Sequence, residues 1–357
     1  MSKLKAAARD RKNAARNSWT NETQRSCTFS DGHRGLRCLR YHVSVPFLEQ
    51  PAVNAVKNET LDVILSGLMT RYQERVPDVS VIVDLMREKN LVQSVDDIQN
   101  DHVAFRTMGV PQLGIASLEK IFLHCGYVRR DAYHFSAKKL DAFWYAPPEP
   151  RHPRIFVSEL RVDDLSPEAQ RIIRSYTDEV PSDPVAQLDL DDGAAVDAFL
   201  HRPLWRMPTL ADFDRLAQES EYASWVIYNR YYLNHFTISV HDLPAPYYNI
   251  EAFDALLEEH GIRLNDAGGK IKTSKDGLLR QSSTVARRVK AVFDDGDGGT
   301  TEKMIPGSYV EFAERNVLPE FDSLSADQVQ REHRRDGFET GNADKIFEST
   351  YRSQVDG

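Results

Sequence analysis

The first hydrophobic pattern along the chain is helical. Apolar side chains recur at intervals of three and four residues from Leu61 to Met69, the spacing that lines one face of a helix. The same spacing returns after Pro77, and proline suits the first turn of a helix. Residues 52–99 are therefore predicted to form N-terminal helices whose role is packing.

The next pattern is an internal repeat. Two segments that each contain a histidine alternate between apolar and polar residues like strands, and an amphipathic helix that ends at a glycine follows each of them. From the histidine to that glycine there are 24 residues in the first case (His102 to Gly126) and 26 in the second (His235 to Gly261). Strand-like segments rich in aromatic and β-branched residues follow, at 138–146 and 153–160 in the first case and at 278–293 and 308–315 in the second. The repeat predicts two β-α-β-β-β units.

The predicted fold class is α+β, in which the two units face each other as a cupped sheet around a cleft. The N-terminal helices and a polar, helical insertion between the units complete the fold. The predicted boundaries are a basic leader at 1–50, a single domain at 51–320 and a charged C-terminal tail at 321–357 that ends loosely. Within the domain, unit one spans 99–162, the helical insertion 163–230 and unit two 231–318.

Strand periodicity decides which side chains line the cleft, because residues two apart in a strand face the same side. In three of the strands one face is apolar and the other carries a histidine or a carboxylate. The polar faces consist of His102, Ala104 and Arg106 in one strand, of His235, Thr237, Ser239 and His241 in another, and of Tyr309, Glu311, Ala313 and Arg315 in the last. If the apolar faces pack beneath helices, these polar faces line the cleft.

Two histidines and one carboxylate form the ligand set of non-haem Fe(II) oxygenases, which leaves coordination positions open for substrate and dioxygen. His102, His235 and Glu311 are the candidates for such a set. The same ligands also suit Mn(II) and Zn(II), and no local HxH or HExxH motif accompanies them. On residue types and spacing alone, the two histidines can equally be polar residues of a half-buried sheet.

Charge and composition exclude some classes of protein. The 357 residues carry a formal charge of −9, which argues against general binding of nucleic acid. No apolar run approaches the roughly 20 residues that a membrane-spanning helix needs, so no membrane partner is predicted. The three cysteines (Cys27, Cys38 and Cys125) form no CxxC pair, and reducing surroundings are expected.

The charge is unevenly distributed. Residues 1–48 contain ten basic and three acidic residues, so this segment is positive whereas the rest of the chain is strongly acidic. An acid-poor, arginine-rich leader is typical of a transit peptide to a mitochondrion or plastid. The alternatives are a leader without an address, which leaves the protein cytoplasmic, and a start codon placed too early.

Six sequence motifs together resemble one known family. NDHVAFRT, YHFSAKKLDAFWY, PRIFVSEL, YNRYYLNHFTISVH, LLRQSSTVA and IPGSYVEFAER, in this order, are similar to motifs of the 2-oxoadipate dioxygenase/decarboxylase family. The resemblance runs from about Leu61 to Arg315. It implies the fold of the vicinal-oxygen-chelate superfamily and a distant relationship to hydroxyphenylpyruvate dioxygenase, with 51–320 as a single catalytic domain.

The resemblance also implies an activity. A member of this family is expected to use Fe²⁺ and O₂ to convert a small 2-oxo acid, 2-oxoadipate, into 2-hydroxyglutarate and CO₂ in lysine degradation. Matched motif by motif, the ligands of the iron fall on His102, His235 and Glu311, and the arginine that binds the substrate carboxylate falls on Arg106. The substrate chelates the iron beside His102. The oligomeric state stays open.

Several further residues have less certain roles. Gln281 and Ser283 share a strand face and are candidates to hydrogen-bond the substrate. Glu159 is interpreted as the first unit's counterpart of Glu311, with a structural or supporting role. His241 is a candidate to support the metal from behind. Lys138 and Lys139 either attract an anionic substrate or form a solvated strand edge.

Two alternatives to the dioxygenase remain. The first is a metal-dependent isomerase or lyase of glyoxalase type, in which Glu311 acts as the base. The second is a non-catalytic scaffold that keeps the cleft but has no reaction. Oxygen uptake with 2-oxoadipate separates the first from a dioxygenase, and the joint presence of His102, His235 and Glu311 speaks against the second.

Overall fold

The computed structural model describes residues 50–357, with side chains from Lys57 onward, so the basic leader lies outside the described residues. Two N-terminal helices come first, α1 (Gln50–Arg75) and α2 (Pro77–Glu88). Pro77 occupies the first turn of α2, and the residues of α2 that repeat at helical spacing, such as Ile82 and Met86, are buried. None of the helices in 50–357 combines the length and the hydropathy that crossing a membrane requires.

The first unit contains one more strand than the sequence located. It consists of β1 (Asn100–Met108), α3 (Ile115–His124), β2 (Val128–Phe135), β3 (Leu140–Ala146) and β4 (Arg154–Leu160). Strand β2 lies at the edge of the sheet, and most of its side chains are exposed. Because an edge strand that is exposed on both faces has no apolar alternation, periodicity does not reveal it.

The insertion between the units is helical, as predicted. It contains α4 (Pro167–Thr177), α5 (Gly193–His201), α6 (Leu210–Glu219) and α7 (Glu221–Asn229). A serine, threonine or aspartate precedes each helix, and its side chain accepts a hydrogen bond from a backbone N–H of the first turn. These caps satisfy amide groups that would otherwise lack partners, and so they fix where each helix begins.

The second unit repeats the first around an added hairpin. It consists of β5 (His235–Ser239), α8 (Ile250–Glu259), β6 (Lys272–Thr273), β7 (Leu279–Ser283), β8 (Arg288–Asp294), β9 (Thr300–Pro306) and β10 (Tyr309–Arg315). The prediction of one strand over 278–293 is therefore wrong. The chain leaves the main sheet after Ser283, and Arg287 pairs with Asp78 at the surface. Strand β8 pairs with β9 in a separate two-stranded sheet, and Asp294 at its end bridges to Thr209.

The eight remaining strands form one sheet in the order β2-β3-β4-β1-β5-β10-β7-β6. The order is symmetric about its centre. Strand β1 is parallel to β4, β5 is parallel to β10, and β1 and β5 run antiparallel where the units meet. The predicted arrangement of two β-α-β-β-β units in one curved sheet is thus confirmed.

The two faces of the sheet have different surroundings. Phe105 of β1 is fully buried, and its ring lies 5.5 Å from that of Phe122 on α3. Phe312 of β10 packs in the same way against Phe253 of α8. These alternate residues form the core beneath the helices, and the residues between them therefore face into the cup.

The end of the chain is built into the fold. Residues 340–355 include α9 (Thr340–Ile346) and α10 (Arg352–Val355), and Phe338, Ile346 and Phe347 are buried over the open side of the cup. The predicted charged tail is thus wrong for Phe338–Thr350. Charged residues separate the apolar anchors in the sequence, and no regular period marks them, so composition alone suggested solvent exposure.

Candidate metal centre

Three side chains from three neighbouring strands meet at the bottom of the cup. His102 belongs to β1, His235 to β5 and Glu311 to β10, and all three are buried. In the register of the sheet, Thr237 is paired with both His102 and Glu311, and His235 is offset by two residues on the same face. Strand pairing thus brings together residues that are far apart in sequence.

The distances between the donor atoms suit a single ion. The Nε2 atoms of His102 and His235 are 3.3 Å apart, and they lie 3.5 and 3.1 Å from the two carboxylate oxygens of Glu311. Ligand atoms about 2.1 Å from one metal ion, at angles near 90–110°, lie about 3.0–3.4 Å from each other. One ligand atom from each residue falls within 4.8 Å of the other two.

Hydrogen bonds on the far side of each ring orient the histidines. The Nδ1 of His102 donates to the carboxylate of Asp101 at 2.8 Å, and the Nδ1 of His235 donates to the side-chain oxygen of Asn234 at 3.1 Å. Since these oxygens only accept, each Nδ1 carries a proton, and in the neutral form of the ring each Nε2 presents its lone pair to Glu311. Two lone pairs and a carboxylate facing one another are stable when a cation lies between them.

The pKa values of the histidines follow the same logic. Burial lowers the pKa of His102, but the negative charges of Glu311 and Asp101 outweigh it and leave the pKa raised. Burial, and then the proximity of His102 and Arg106, hold the pKa of His235 well below its ordinary value. The carboxylate of Glu311 therefore favours a positively charged group beside it, and the pocket keeps the imidazole of His235 neutral. A neutral imidazole is the form that binds metals.

Asp101 is the residue that sequence reasoning missed. Its buried carboxylate contacts His102 and forms ion pairs with Arg315, at 2.6 and 2.9 Å, and with Arg154, at 3.1 Å. Burial raises its pKa, but the two guanidinium groups outweigh burial and hold the pKa well below its usual range. Alternation placed Asp101 on the opposite face from His102, and the register shift between Asn100 and His102 breaks that alternation. The one feature of the sequence that could have indicated this role is the acidic residue directly before the histidine.

Arg106 is fully buried and reaches into the same cup. One of its terminal nitrogens donates to the hydroxyl of Thr350 at 2.9 Å and the other to the carbonyl of Phe347 at 3.1 Å. The rings of Tyr222 and Trp225 each lie 5.2 Å from the guanidinium carbon. Its Nε has no hydrogen-bond partner in the described part of the chain, which leaves a buried donor available to a ligand.

The structure separates the two polar candidates of β7. Gln281 lies at the site, where its amide nitrogen donates to Glu311 at 2.7 Å and its oxygen accepts from Asn342 at 3.0 Å. Ser283 is paired with Glu311 in the sheet, but its hydroxyl contacts Ser349 at 2.8 Å instead. Gln281 therefore orients the carboxylate, and Ser283 anchors the C-terminal segment.

The register corrects the interpretation of Glu159. Because His235 is paired with Tyr309 and His102 with Arg154, the first unit's counterpart of Glu311 is Phe156. Glu159 points to the opposite face, where it accepts a hydrogen bond from the amide of Ile115, at the start of α3, at 2.7 Å. Its role is to cap that helix.

The remaining candidates lie away from the three ligands. His241 sits in a short helical turn after β5, and its Nδ1 accepts from the backbone amide of Arg315. Lys138 forms ion pairs with Asp344 and Glu348 of the C-terminal segment. Lys139 pairs with Glu219, and its side chain is about one-third exposed. The two lysines thus hold neighbouring elements together.

The cavity at the three ligands is small. It measures about 20 Å³, and its walls consist of His102, His235, Glu311, Gln281, Tyr309, Phe156, Phe338, Ala343, Ile346 and Phe347. This volume holds about one water molecule. Four of the ten residues belong to the C-terminal segment that the sequence analysis treated as a tail. This segment therefore narrows the space above the three candidate ligands.

The cupped sheet of paired β-α-β-β-β units is a vicinal-oxygen-chelate-like fold, and its buried His–His–Glu cluster is a candidate site for one metal ion. The family model described as 2-oxoadipate dioxygenase/decarboxylase matches residues 64–330 of the chain. This chain belongs to that family. The predicted family and the predicted enzyme class, an oxidoreductase, are confirmed.

Individual relatives agree with this assignment. The chloroplastic 2-oxoadipate dioxygenase/decarboxylase of Arabidopsis thaliana is 44% identical over 305 residues, which cover 82% of this chain and 78% of the relative. A crystal structure of hydroxyglutarate synthase from Oryza sativa in complex with 2-oxoadipate is 42% identical, with a TM-score of 0.73 and coverage of 86% of this chain and 95% of that one. A glyoxalase-superfamily protein from Ralstonia eutropha is 21% identical, with a TM-score of 0.60 over 77% of this chain and 84% of that one, and it supports the fold alone.

Replacing Asp101 tests how the histidine is held. In Asp101→Asn, His102 loses its anionic partner, and Arg154 and Arg315 lose a counter-charge. We expect affinity for a divalent metal to fall about 10- to 100-fold, as for other residues that orient a metal-binding histidine. Anaerobic titration of the metal-free protein, with Co²⁺ absorption as the readout, measures this.

Asp336→Asn is the matched control. Asp336 pairs with the same Arg154, at 2.6 Å, but its side chain is 58% exposed, and within residues 57–357 it makes no hydrogen bond to His102. Its metal affinity should stay within about twofold of the wild type. Equal affinity in Asp101→Asn and the wild type would show that the carboxylate does not position His102.

Proposed function

We propose that this chain is an Fe²⁺-dependent dioxygenase that converts 2-oxoadipate and O₂ into 2-hydroxyglutarate and CO₂, with His102, His235 and Glu311 as the ligands of the iron. The observation that carries the proposal is the convergence of these three buried donors in a chain of this family. Two histidines and one carboxylate, with the remaining positions open, are the ligand set of non-haem iron oxygenases. The complex of the rice hydroxyglutarate synthase with 2-oxoadipate supports the choice of substrate.

The proposed reaction balances without an external reductant. 2-Oxoadipate loses its first carboxyl group as CO₂, and the neighbouring keto carbon becomes a carboxylate by taking one oxygen atom from O₂. The second oxygen atom becomes the hydroxyl group on the adjacent carbon. When bound, the iron would supply the redox centre at which the 2-oxo acid and O₂ meet.

The residues of the chain supply the binding site around that centre. The donors come from neighbouring strands and leave the cavity side free, and Gln281 holds one oxygen of Glu311 by its hydrogen bond of 2.7 Å. The rings of Phe156, Phe338 and Phe347 form the apolar walls. A water-poor pocket strengthens electrostatic interactions and protects reactive species from solvent.

Arg106 is proposed to bind a carboxylate of the substrate. It lies four residues after His102 on the same face of β1, and its buried Nε lacks a partner in residues 50–357. Its two terminal nitrogens contact a neutral carbonyl and a neutral hydroxyl of the C-terminal segment. A carboxylate is a stronger acceptor for a guanidinium than either group, so substrate can replace these contacts.

Oxygen uptake tests the proposed reaction. After anaerobic reconstitution with Fe²⁺, we expect one O₂ consumed and one CO₂ released for each 2-oxoadipate, measured with an oxygen electrode and ¹³CO₂ detection. Glu311→Gln should lose at least about 100-fold in rate, because it weakens a ligand directly. Glu302→Gln, an exposed change on the hairpin, is the control. Absence of uptake with every 2-oxo acid in a panel would favour the glyoxalase-type isomerase.

Arg106→Ala tests the carboxylate contact. Losing a charge-assisted hydrogen-bonding partner worth about 1.5–3 kcal/mol should raise the KM for 2-oxoadipate roughly 10- to 150-fold. Bound iron, measured by elemental analysis, should be unchanged. Arg106→Lys keeps the positive charge but loses the two-pronged guanidinium group, so its KM should lie between those of the wild type and Arg106→Ala. Arg174→Ala, at the surface, is the control. Unchanged steady-state kinetics in both Arg106 variants would refute this role.

The leader is proposed to direct the protein to a plastid. Its basic, acid-poor composition is that of a transit peptide, and the Arabidopsis relative is chloroplastic. A fluorescent protein fused to residues 1–50 should be imported by isolated chloroplasts and protected from added protease, whereas a fusion to residues 51–100 should not. A fusion to 1–50 that stays outside would favour the cytoplasmic alternative.

A further inference from the structure

A second and much larger cavity lies at one end of the central strands. It measures about 660 Å³, and we call it the basic cavity because its wall includes Arg154, Arg315, Arg331, Arg334 and His241. The start of β1, the ends of β5 and β10 and the loop at 326–334 enclose it. None of the three metal-binding candidates lines it.

The basic cavity carries an excess of positive charge. Four guanidinium groups line it against two carboxylates, those of Asp101 and Asp242. Asp101 is already shared between Arg154 and Arg315, and the side chain of Asp242 is 42% exposed to solvent. The cavity is thus positively charged, although the whole chain has a formal charge of −9.

Two of the arginines have no acidic partner. Arg331 donates from one terminal nitrogen to the carbonyls of Pro150 and His152, at 2.6 and 2.7 Å, and Arg334 donates to the carbonyl of Arg315 at 2.8 Å. Within residues 50–357, neither has a carboxylate within 4.0 Å. The other terminal nitrogen of Arg331 is buried without any hydrogen-bond partner in the described part of the chain.

Fixed guanidinium groups with unused donors form a site for an anion. The carbonyl contacts hold both arginines in place, so little conformational entropy is lost when a ligand binds. Burial lowers the pKa of both Arg331 and Arg334, and it outweighs the nearby carboxylates, Asp101 and Asp336 for Arg331 and Asp242 and Glu314 for Arg334. A bound anion would supply the missing charge.

We propose that the basic cavity binds a small anion, a dicarboxylate or an inorganic oxyanion, with Arg331 and Arg334 as its main ligands. Four guanidinium groups stand against Asp101 and Asp242 in the wall and Asp336 beside Arg154, so positive charge remains in excess and favours an anionic ligand. Walls on several sides admit a small molecule rather than a polymer. Gln330, Ser239 and Tyr248 line the same cavity and add hydrogen-bonding groups.

The site is separate from the metal-binding cup but adjacent to it. Asp101 stands between the two, because its carboxylate lines the basic cavity and also accepts the Nδ1 proton of His102. The ring of Phe338 packs against His102 on one side, and the guanidinium carbon of Arg315 lies 5.4 Å from its centre. This wall distinguishes an anion held by Arg331 from a substrate held by Arg106.

Calorimetric titration of the metal-loaded protein with inorganic phosphate, and separately with glutarate, tests the proposal. We expect saturable phosphate binding that weakens as salt rises. Arg331→Gln and Arg334→Gln should each weaken it about 10- to 150-fold, the range for a lost charge-assisted hydrogen bond. Arg174→Gln, a surface arginine, is the matched control. Binding of glutarate but not of phosphate would identify the natural ligand as a dicarboxylate. Binding of both anions would show that the cavity accepts dicarboxylates and inorganic oxyanions alike.

Arg106→Lys separates the two sites, because phosphate should bind to it as to the wild type. Loss of phosphate binding in Arg106→Lys would place the anion in the metal-binding cup and overturn the proposal. Lack of saturable binding of both anions would also overturn it, as would wild-type affinity in both glutamine variants. If those variants do not fold, a wild-type crystal soaked in sulfate provides the test. The proposal requires electron density for sulfate beside Arg331 and Arg334. None of these readouts depends on oxygen uptake.

Discussion

The hydrogen-bonded pairing of three central strands, β1, β5 and β10, is the constraint on which the rest of the structure depends. Side chains on one face of a sheet lie about 5 Å from their neighbours on the next strand. Three donors can therefore meet only if all three registers are right. A shift of one residue in any strand would turn its donor toward the helices. The site is a property of the sheet rather than of any local segment.

Charge balance in the interior follows from that pairing. The imidazoles of His102 and His235 lie beside Glu311, and the guanidinium groups of Arg154 and Arg315 pair with Asp101. Each buried carboxylate therefore has partners. The two clusters share His102, which contacts both carboxylates. Because an unpaired charge in this environment is costly, each cluster fixes the geometry of the other. Strand β1 thus carries both His102 and the carboxylate that orients it.

The C-terminal segment gives the cup its closed form. Phe338, Ile346 and Phe347 cover the three ligands, while Thr350 contacts Arg106. The cavity left beneath them is small, about 20 Å³. Arg106 donates hydrogen bonds to a neutral hydroxyl and a neutral carbonyl of this segment, whereas Lys138 anchors it by ion pairs with Asp344 and Glu348. The residues that cover His102 thus come from the part of the chain that lies farthest from it in sequence.

The sequence by itself determined the paired β-α-β-β-β units, the faces that carry His102, His235, Glu311 and Arg106, and the family, because these depend on local periodicity and on long motifs. Only the tertiary structure placed Asp101 behind His102 and separated Glu159 from the cup, since a register shift and the pairing of β4 with β1 decide both. It also decided that Phe338–Thr350 covers the site and that distant arginines meet in the basic cavity. Such contacts join segments far apart in the chain, and long-range packing leaves no periodic signal in the residues themselves.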